Sequence, residues 1–262
     1  MRLVIRISIL VALLATLSCS ALTPRTYQLE QIHQTYTTEW AQARLPEPTI
    51  NASLAQTSDV QAFNATLAAI RNYKAMHGNS DAVAAHLTVL EGMIHLQSGN
   101  TGMARLLETD IKEQSARLNS ASGVAARDKL FAASYPALVD GWEAIFKQST
   151  VGTDFTDAAD ALVKTLSEVK PDERAAAEVD SGGAYIATSA AIFYLWNSTI
   201  DLRPQNPTKD AATKGAAALK PWMSPIEIAA AEDSETLSKQ GLDFGSRQRF
   251  VEWYKWLYSE SQ

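Results

Sequence analysis

Alanine-rich stretches with apolar residues at spacings of three and four dominate this chain, and runs that alternate Val, Ile or Thr with polar residues are almost absent. Strands need a period of two and helices one near 3.6, so the pattern predicts an all-α protein. Helix-breaking residues then divide the chain. A first helix is expected over residues 26–43, with Tyr27, Ile32, Tyr36 and Trp40 as its stripe, ahead of the Pro-bearing polar linker "LPEPTINASLAQTS". Ser58 and Asp59 are placed to cap a second helix that stops at Gly78, Ser80 or Asp81 to open a third that closes at Gly99, and Asn100 with Thr101 to open a fourth. Further helices are expected near 122–148, 154–170, 172–201, 208–219, 225–240 and 246–259, with Pro171 at the start of the long one and "RPQNP" closing it. Such short connections favour antiparallel helical hairpins.

The beginning of the chain reads differently. Arg2 and Arg6 precede an apolar run from Ile7 to Leu17 and then small residues, the layout of a secretory signal peptide. The run is too short to span a bilayer, which takes roughly 18 apolar residues. Removing residues 1–18 as a cleaved signal lowers Lys plus Arg from 23 to 21 against 29 acids, a net charge of about −8. An acidic body of that kind argues against nucleic acid and anionic lipid surfaces as partners.

Cys19 is the only cysteine, so no internal disulfide is available to it. The segment Ala15-Thr16-Leu17-Ser18-Cys19 resembles the lipobox of bacterial lipoproteins, although Thr16 stands where Leu is commonest and Leu17 where a small residue is. The resemblance implies a diacylglyceryl group on the Cys19 thiol and an acyl chain, such as palmitate, on the freed amine. Two or more chains make a stable anchor where one does not. Ser20 in place of Asp leans the resemblance toward the outer membrane, facing the periplasm.

A second resemblance lies in "EGMIHLQSGNTGMARLLETDI", where Gly92, the Gly99-Asn100 pair and Ala104 are similar to a tetratricopeptide repeat. Glu91 and Glu108 depart from that pattern, at positions where Leu and a large apolar residue belong. Phe155, Ala158, Leu162 and Pro171 give a looser echo of the second helix of such a repeat. The resemblance implies helical hairpins stacked as a tetratricopeptide-like array. The expected organisation is a lipid-anchored N-terminal segment over 19–57, a hairpin domain over 58–202, and C-terminal helices over 203–262 that pack on it or extend it.

Residues that carry chemistry are sparse. "AAH" at 84–86 and "DSGG" at 180–183 echo the histidine and serine segments of trypsin-like proteases, but both lie in runs of helical periodicity, and that family is built from β-barrels. Glu91 and His95 stand at i and i+4, which is two ligands and no metal site. Neither GxxxxGK[ST] nor GxGxxG occurs, and Asp154, Asp157 and Asp160 sit where a helix start favours negative charge. No enzymatic activity, metal or cofactor is therefore expected.

Two apolar features remain. "AYIATSAAIFYLW", residues 184–196, is apolar nearly all round and reads as a central core helix, with a pocket wall at Tyr185, Ile192, Phe193 and Trp196 as the functional alternative. At the C-terminus, Phe250, Trp253, Tyr254 and Leu257 share a face, whereas Trp256 and Tyr258 fall off it and become candidates for a partner contact. The expectation is a non-catalytic envelope lipoprotein, a scaffold or adaptor for a partner protein of an envelope assembly or transport system. The alternative is a lipoprotein that binds a small apolar ligand beside a solute transporter.

Overall fold

The computed structural model describes residues 25–42, 60–120, 126–146, 153–174, 177–197, 207–233, 244 and 247–262. The signal peptide, Cys19, the linker to residue 59 with its proposed caps Ser58 and Asp59, and residues 203–206 lie outside the described residues. The described elements are all helical: α1 Arg25–Gln42, α2 Asn64–His77 behind a 3-10 turn at Val60–Phe63, α3 Ala82–Gln97, α4 Thr101–Ser120, α5 Ala126–Phe146 and α6 Thr153–Ser167. They continue with α7 Pro171–Arg174, α8 Ala177–Asn197, α9 Lys209–Leu219, a 3-10 turn at Lys220–Trp222, α10 Pro225–Glu232 and α11 Gln248–Ser261.

Local signals account for many of these ends. Asp81 caps α3 by accepting from Ala84 N at 2.6 Å, and Asn100 accepts from Met103 N at 3.3 Å as α4 begins. Gly78 and Gly99 terminate their helices at φ of 76° and 68°, the left-handed region that glycine enters without a Cβ penalty. The cap of α2 has another source: Phe63 precedes the helix without a capping side chain, and Glu39 of α1 accepts from Ala65 N and Thr66 N instead. Ser224 and Glu227 form a reciprocal capping box at the start of α10. Replacing Ser224 with Ala is expected to cost about 1 kcal/mol, a fall of roughly 3 °C in melting temperature. An unchanged melt would show that Arg247, which also binds Glu227, holds α10 in place without the cap.

Contacts along the helices fix their directions. Arg105 at the start of α4 reaches Asp140 and Glu143 near the end of α5, so these chain neighbours run antiparallel; α9 and α11 do so too, since Lys209 at the start of one donates to the Gln262 carbonyl after the other. α3 and α5 run in the same direction, as do α5 and α8: His86 and Asp128 meet near the starts of the first pair, while Phe131 faces Tyr185 and Trp142 faces Phe193 along the second. The chain is thus a stack of antiparallel helical hairpins. Its C-terminal helices join the same core, with Ala212, Leu219, Val251, Tyr254 and Leu257 buried beside α8.

Two cores share α3. Its Ala85, Val89, Met93 and Leu96 enter the large core, and its Ala84, Leu87, Leu90 and Ile94 enter a smaller one with Ile32, Phe63, Leu67, Ile70 and Tyr73 of the first two helices. Small residues set the spacing between helices. A Cβ on Gly92 would lie 2.7 Å from Ile111 of α4 and from Tyr135 of α5, so only glycine lets three helices meet there. Ala104, fully buried, faces the same junction and its carbonyl accepts from the Tyr135 hydroxyl at 3.0 Å.

Candidate functional site

The residues expected to wall a pocket on α8 are placed mainly inside the protein. Ile192 and Phe193 are buried in the large core, and Trp196 joins them with no acceptor for its Nε1 among the described residues. Tyr185 alone stands at the edge of that core, half-buried. Ser189 donates to its backbone carbonyl at 3.0 Å, Phe131 meets its ring edge-on, and burial raises its pKa. The C-terminal aromatics also lie closer to the core than their register predicts: the buried stripe of α11 is Val251, Tyr254 and Leu257, while Trp256 and Tyr258 are half-buried and packed against it. Trp253 and Trp256 meet edge-on with centroids 6.1 Å apart, and Tyr258 stacks on Tyr254. Cys19 falls outside the described residues.

Sequence reasoning missed the most buried polar cluster. His86 Nδ1 contacts Asp128 Oδ2, and both side chains are almost fully enclosed. Arg127 adds a bond from its Nε to Asp128 at 3.2 Å and donates from Nη2 to His33 Nδ1 of α1, also at 3.2 Å. Burial by itself would raise the Asp128 pKa; the His86 bond first, then the positive charge of Arg127, bring it below the ordinary carboxylate value. The chemistry is that of a buried ion pair linking α1, α3 and α5. His86 does stand beside a carboxylate, as in a protease, but on parallel helices of a helical stack and with its imidazole enclosed. The only sequence signal was an aspartate at an otherwise core-facing position of α5.

A second network locks the C-terminal elements onto α8. Arg247 donates to Asp180 and Glu227 at 2.7 Å each and to the Trp222 carbonyl at 2.5 Å. Burial raises the Asp180 pKa, against which the shared guanidinium counts only in part, whereas Glu227, buried too but also bonded to Ser224, is held low. Glu91 and His95 do not bond to each other: Glu91 takes Lys74 at 2.7 Å, and His95 is buried with its pKa lowered by desolvation. Among the described residues no group of three or more His, Cys, Asp or Glu is arranged to hold a metal ion, and no helix is long and apolar enough to cross a membrane.

Open grooves between helices include two among the described residues. One, of about 630 Å³, has an alanine floor from α5 and α6, with Asp140, Glu143 and Asp157 on its rim and Arg105 bridging the first two. The other, of about 810 Å³, runs between α1 and α2 and is lined by amide and hydroxyl side chains, including Gln31, Gln34, Thr38 and Asn72, together with apolar Ile32, Ala65, Ala69 and Met76. Glu39 is the charged residue of that lining, and its two oxygens are spent on the start of α2. Comparison of the chain with protein-family profiles, with curated proteins and with solved structures finds no match in any of the three.

Proposed function

We propose that the protein is a non-catalytic lipoprotein of the bacterial envelope, held to the outer membrane through acylated Cys19 and binding a partner protein through its stacked helical hairpins. The observation that carries this reading is the pair of open grooves between helices, each long enough for a segment of another chain and neither a closed apolar cavity. The tight junction at Gly92 and Ala104 supports the tetratricopeptide-like description, because those two small residues let successive helices approach as such a repeat requires. The small-ligand reading has less support: three of the four side chains it relied on are filled in by core packing.

The membrane-bound protein, solubilised gently and examined intact by native mass spectrometry, tests the proposal. A protein companion in fixed stoichiometry, together with a diacylglyceryl and acyl mass on the N-terminal cysteine, is the expected result; a lipid-free monomer, or one that carries only a small molecule, contradicts it. Cys19→Ala is expected to leave an unprocessed or soluble precursor. A variant that is still cleaved and still membrane-bound would remove the lipobox reading.

A further inference from the structure

We infer that the groove between α1 and α2 binds an uncharged, extended polypeptide segment, read through its backbone by the side-chain amides of Gln31, Gln34 and Asn72. The inference rests on the partner-binding reading above and names the occupant of one groove. The groove opens on the side of α1 and α2 turned away from α3, because Leu67 and Ile70 are packed on α3 while Asn72 and Met76 are exposed. It is therefore the outer face of the first hairpin, where a further hairpin of the stack would lie.

Three properties select the ligand. The first is hydrogen-bonding capacity: Gln31, Gln34 and Asn72 are exposed, and their amides make no bond among the described residues. Each offers both a donor pair and an acceptor. A peptide unit presents the complementary pair, so an amide on each side of a slot can engage the N–H and C=O of an extended chain. Thr35 and Thr38 donate their hydroxyl hydrogens to the Gln31 and Gln34 carbonyls of their own helix, which leaves their oxygens as acceptors for backbone N–H groups.

The second property is charge. The lining holds no cation for an anion to meet, and its one carboxylate, Glu39, has both oxygens already engaged by Ala65 N, Thr66 N and the Thr66 hydroxyl, which leaves a cation no open carboxylate oxygen to bind. A charged ligand would lose hydration in such a slot without compensation. The third is length. From position 28 to 38 a helix rises about 15 Å, which four or five residues of extended chain cover at roughly 3.3 Å each. Met76, 62% exposed at the rim, supplies an adaptable apolar seat for one side chain of the bound segment.

The test is selection of a phage-displayed library of random twelve-residue peptides on the purified full-length lipoprotein. Enriched peptides are expected to share an uncharged stretch of at least four residues. Their affinity should fall roughly tenfold or more with Gln31→Ala, Gln34→Ala and Asn72→Ala combined. All three side chains are exposed, so an unchanged melting curve will separate lost binding from lost folding. No enrichment, enrichment of charged peptides, or equal binding by the triple variant would overturn the inference. So would a neutral oligosaccharide, maltoheptaose for example, that shifts the side-chain amide resonances of these residues when the selected peptides do not. A companion seen in native spectra and retained by the triple variant would defeat this inference alone, whereas the absence of any companion would defeat the partner-binding reading beneath it.

Discussion

Removal of the Asp128 carboxylate, as Asp128→Ala, is expected to lower the melting temperature by about 10 °C. The side chain is 5% exposed and holds His86, itself 6% exposed, together with Arg127. Breaking a buried pair by deleting one partner leaves an uncompensated polar group, at a cost of about 3–5 kcal/mol, and for a chain of this size each kcal/mol is roughly 2–4 °C. Replacing both members with leucine should restore much of the loss, since apolar side chains of similar volume substitute well for buried ion pairs. A double variant as unstable as Asp128→Ala would show that the polar cluster itself, with its bonds to Arg127 and on to His33, is net stabilising.

The same residue makes a prediction about pH with a definite sign. Asp128 has its pKa lowered on folding, so its contribution is fully present above the unfolded carboxylate value and is lost as pH falls through the lower folded value. Below about pH 4, stability should therefore decline with a component that Asp128→Asn abolishes, because the amide does not titrate there. Urea denaturation repeated across the acid range reads this directly. Parallel acid limbs for the two proteins would place the responsible carboxylate elsewhere.

The second large effect is expected at Gly183, inside α8. A Cβ there would lie 2.0–2.3 Å from the indole ring of Trp222, and the ring has little room to yield: it is 3% exposed, with Arg174 over its face and its carbonyl bound by Arg247. Overpacking of this kind costs about 3 kcal/mol, and the better helix propensity of alanine returns only about 1. Gly183→Ala should therefore lower the melting temperature by several degrees. Gly102→Ala is its control. That glycine also lies in a helix, but a Cβ would meet nothing within 4 Å, so the same substitution should stabilise by up to about 1 kcal/mol. If both changes moved the melt in one direction, propensity rather than packing would be in command.

Helix positions were legible in the sequence because their signals are local. Asp81, Gly78 and Gly99 act within one turn of themselves, and the expected bounds of α3, α6 and α9 lie close to the observed ones. What could not be read depends on residues far apart in the chain. Glu39 caps a helix 26 residues on, and Asp128 completes a pair with a histidine 42 residues before it; no periodicity carries either fact. The register of α11 failed for a related reason. A helical wheel ranks faces by hydrophobicity alone, whereas burial of Val251 in preference to Phe250 is decided by the direction from which α9 approaches, with Leu257 set close against Gly215. Gly183 lies inside the helix expected over 172–201, but its packing partner is a tryptophan 39 positions later, which no local pattern announces. The candidate groove was least visible of all, since glutamine and threonine on a helix look like an ordinary wet surface until a second helix is set beside them.

The sharing of α3 between two cores also bears on how the molecule responds to load. The smaller core holds nine buried side chains from the first three helices and stands between the N-terminal end of the chain and the larger body. A pull applied at that end, by a tether or by a partner, reaches the larger body through this thin layer and the bond between His33 and Arg127. Under tension the first hairpin is expected to give way first, stripping one face of α3 while the other stays engaged in the larger core.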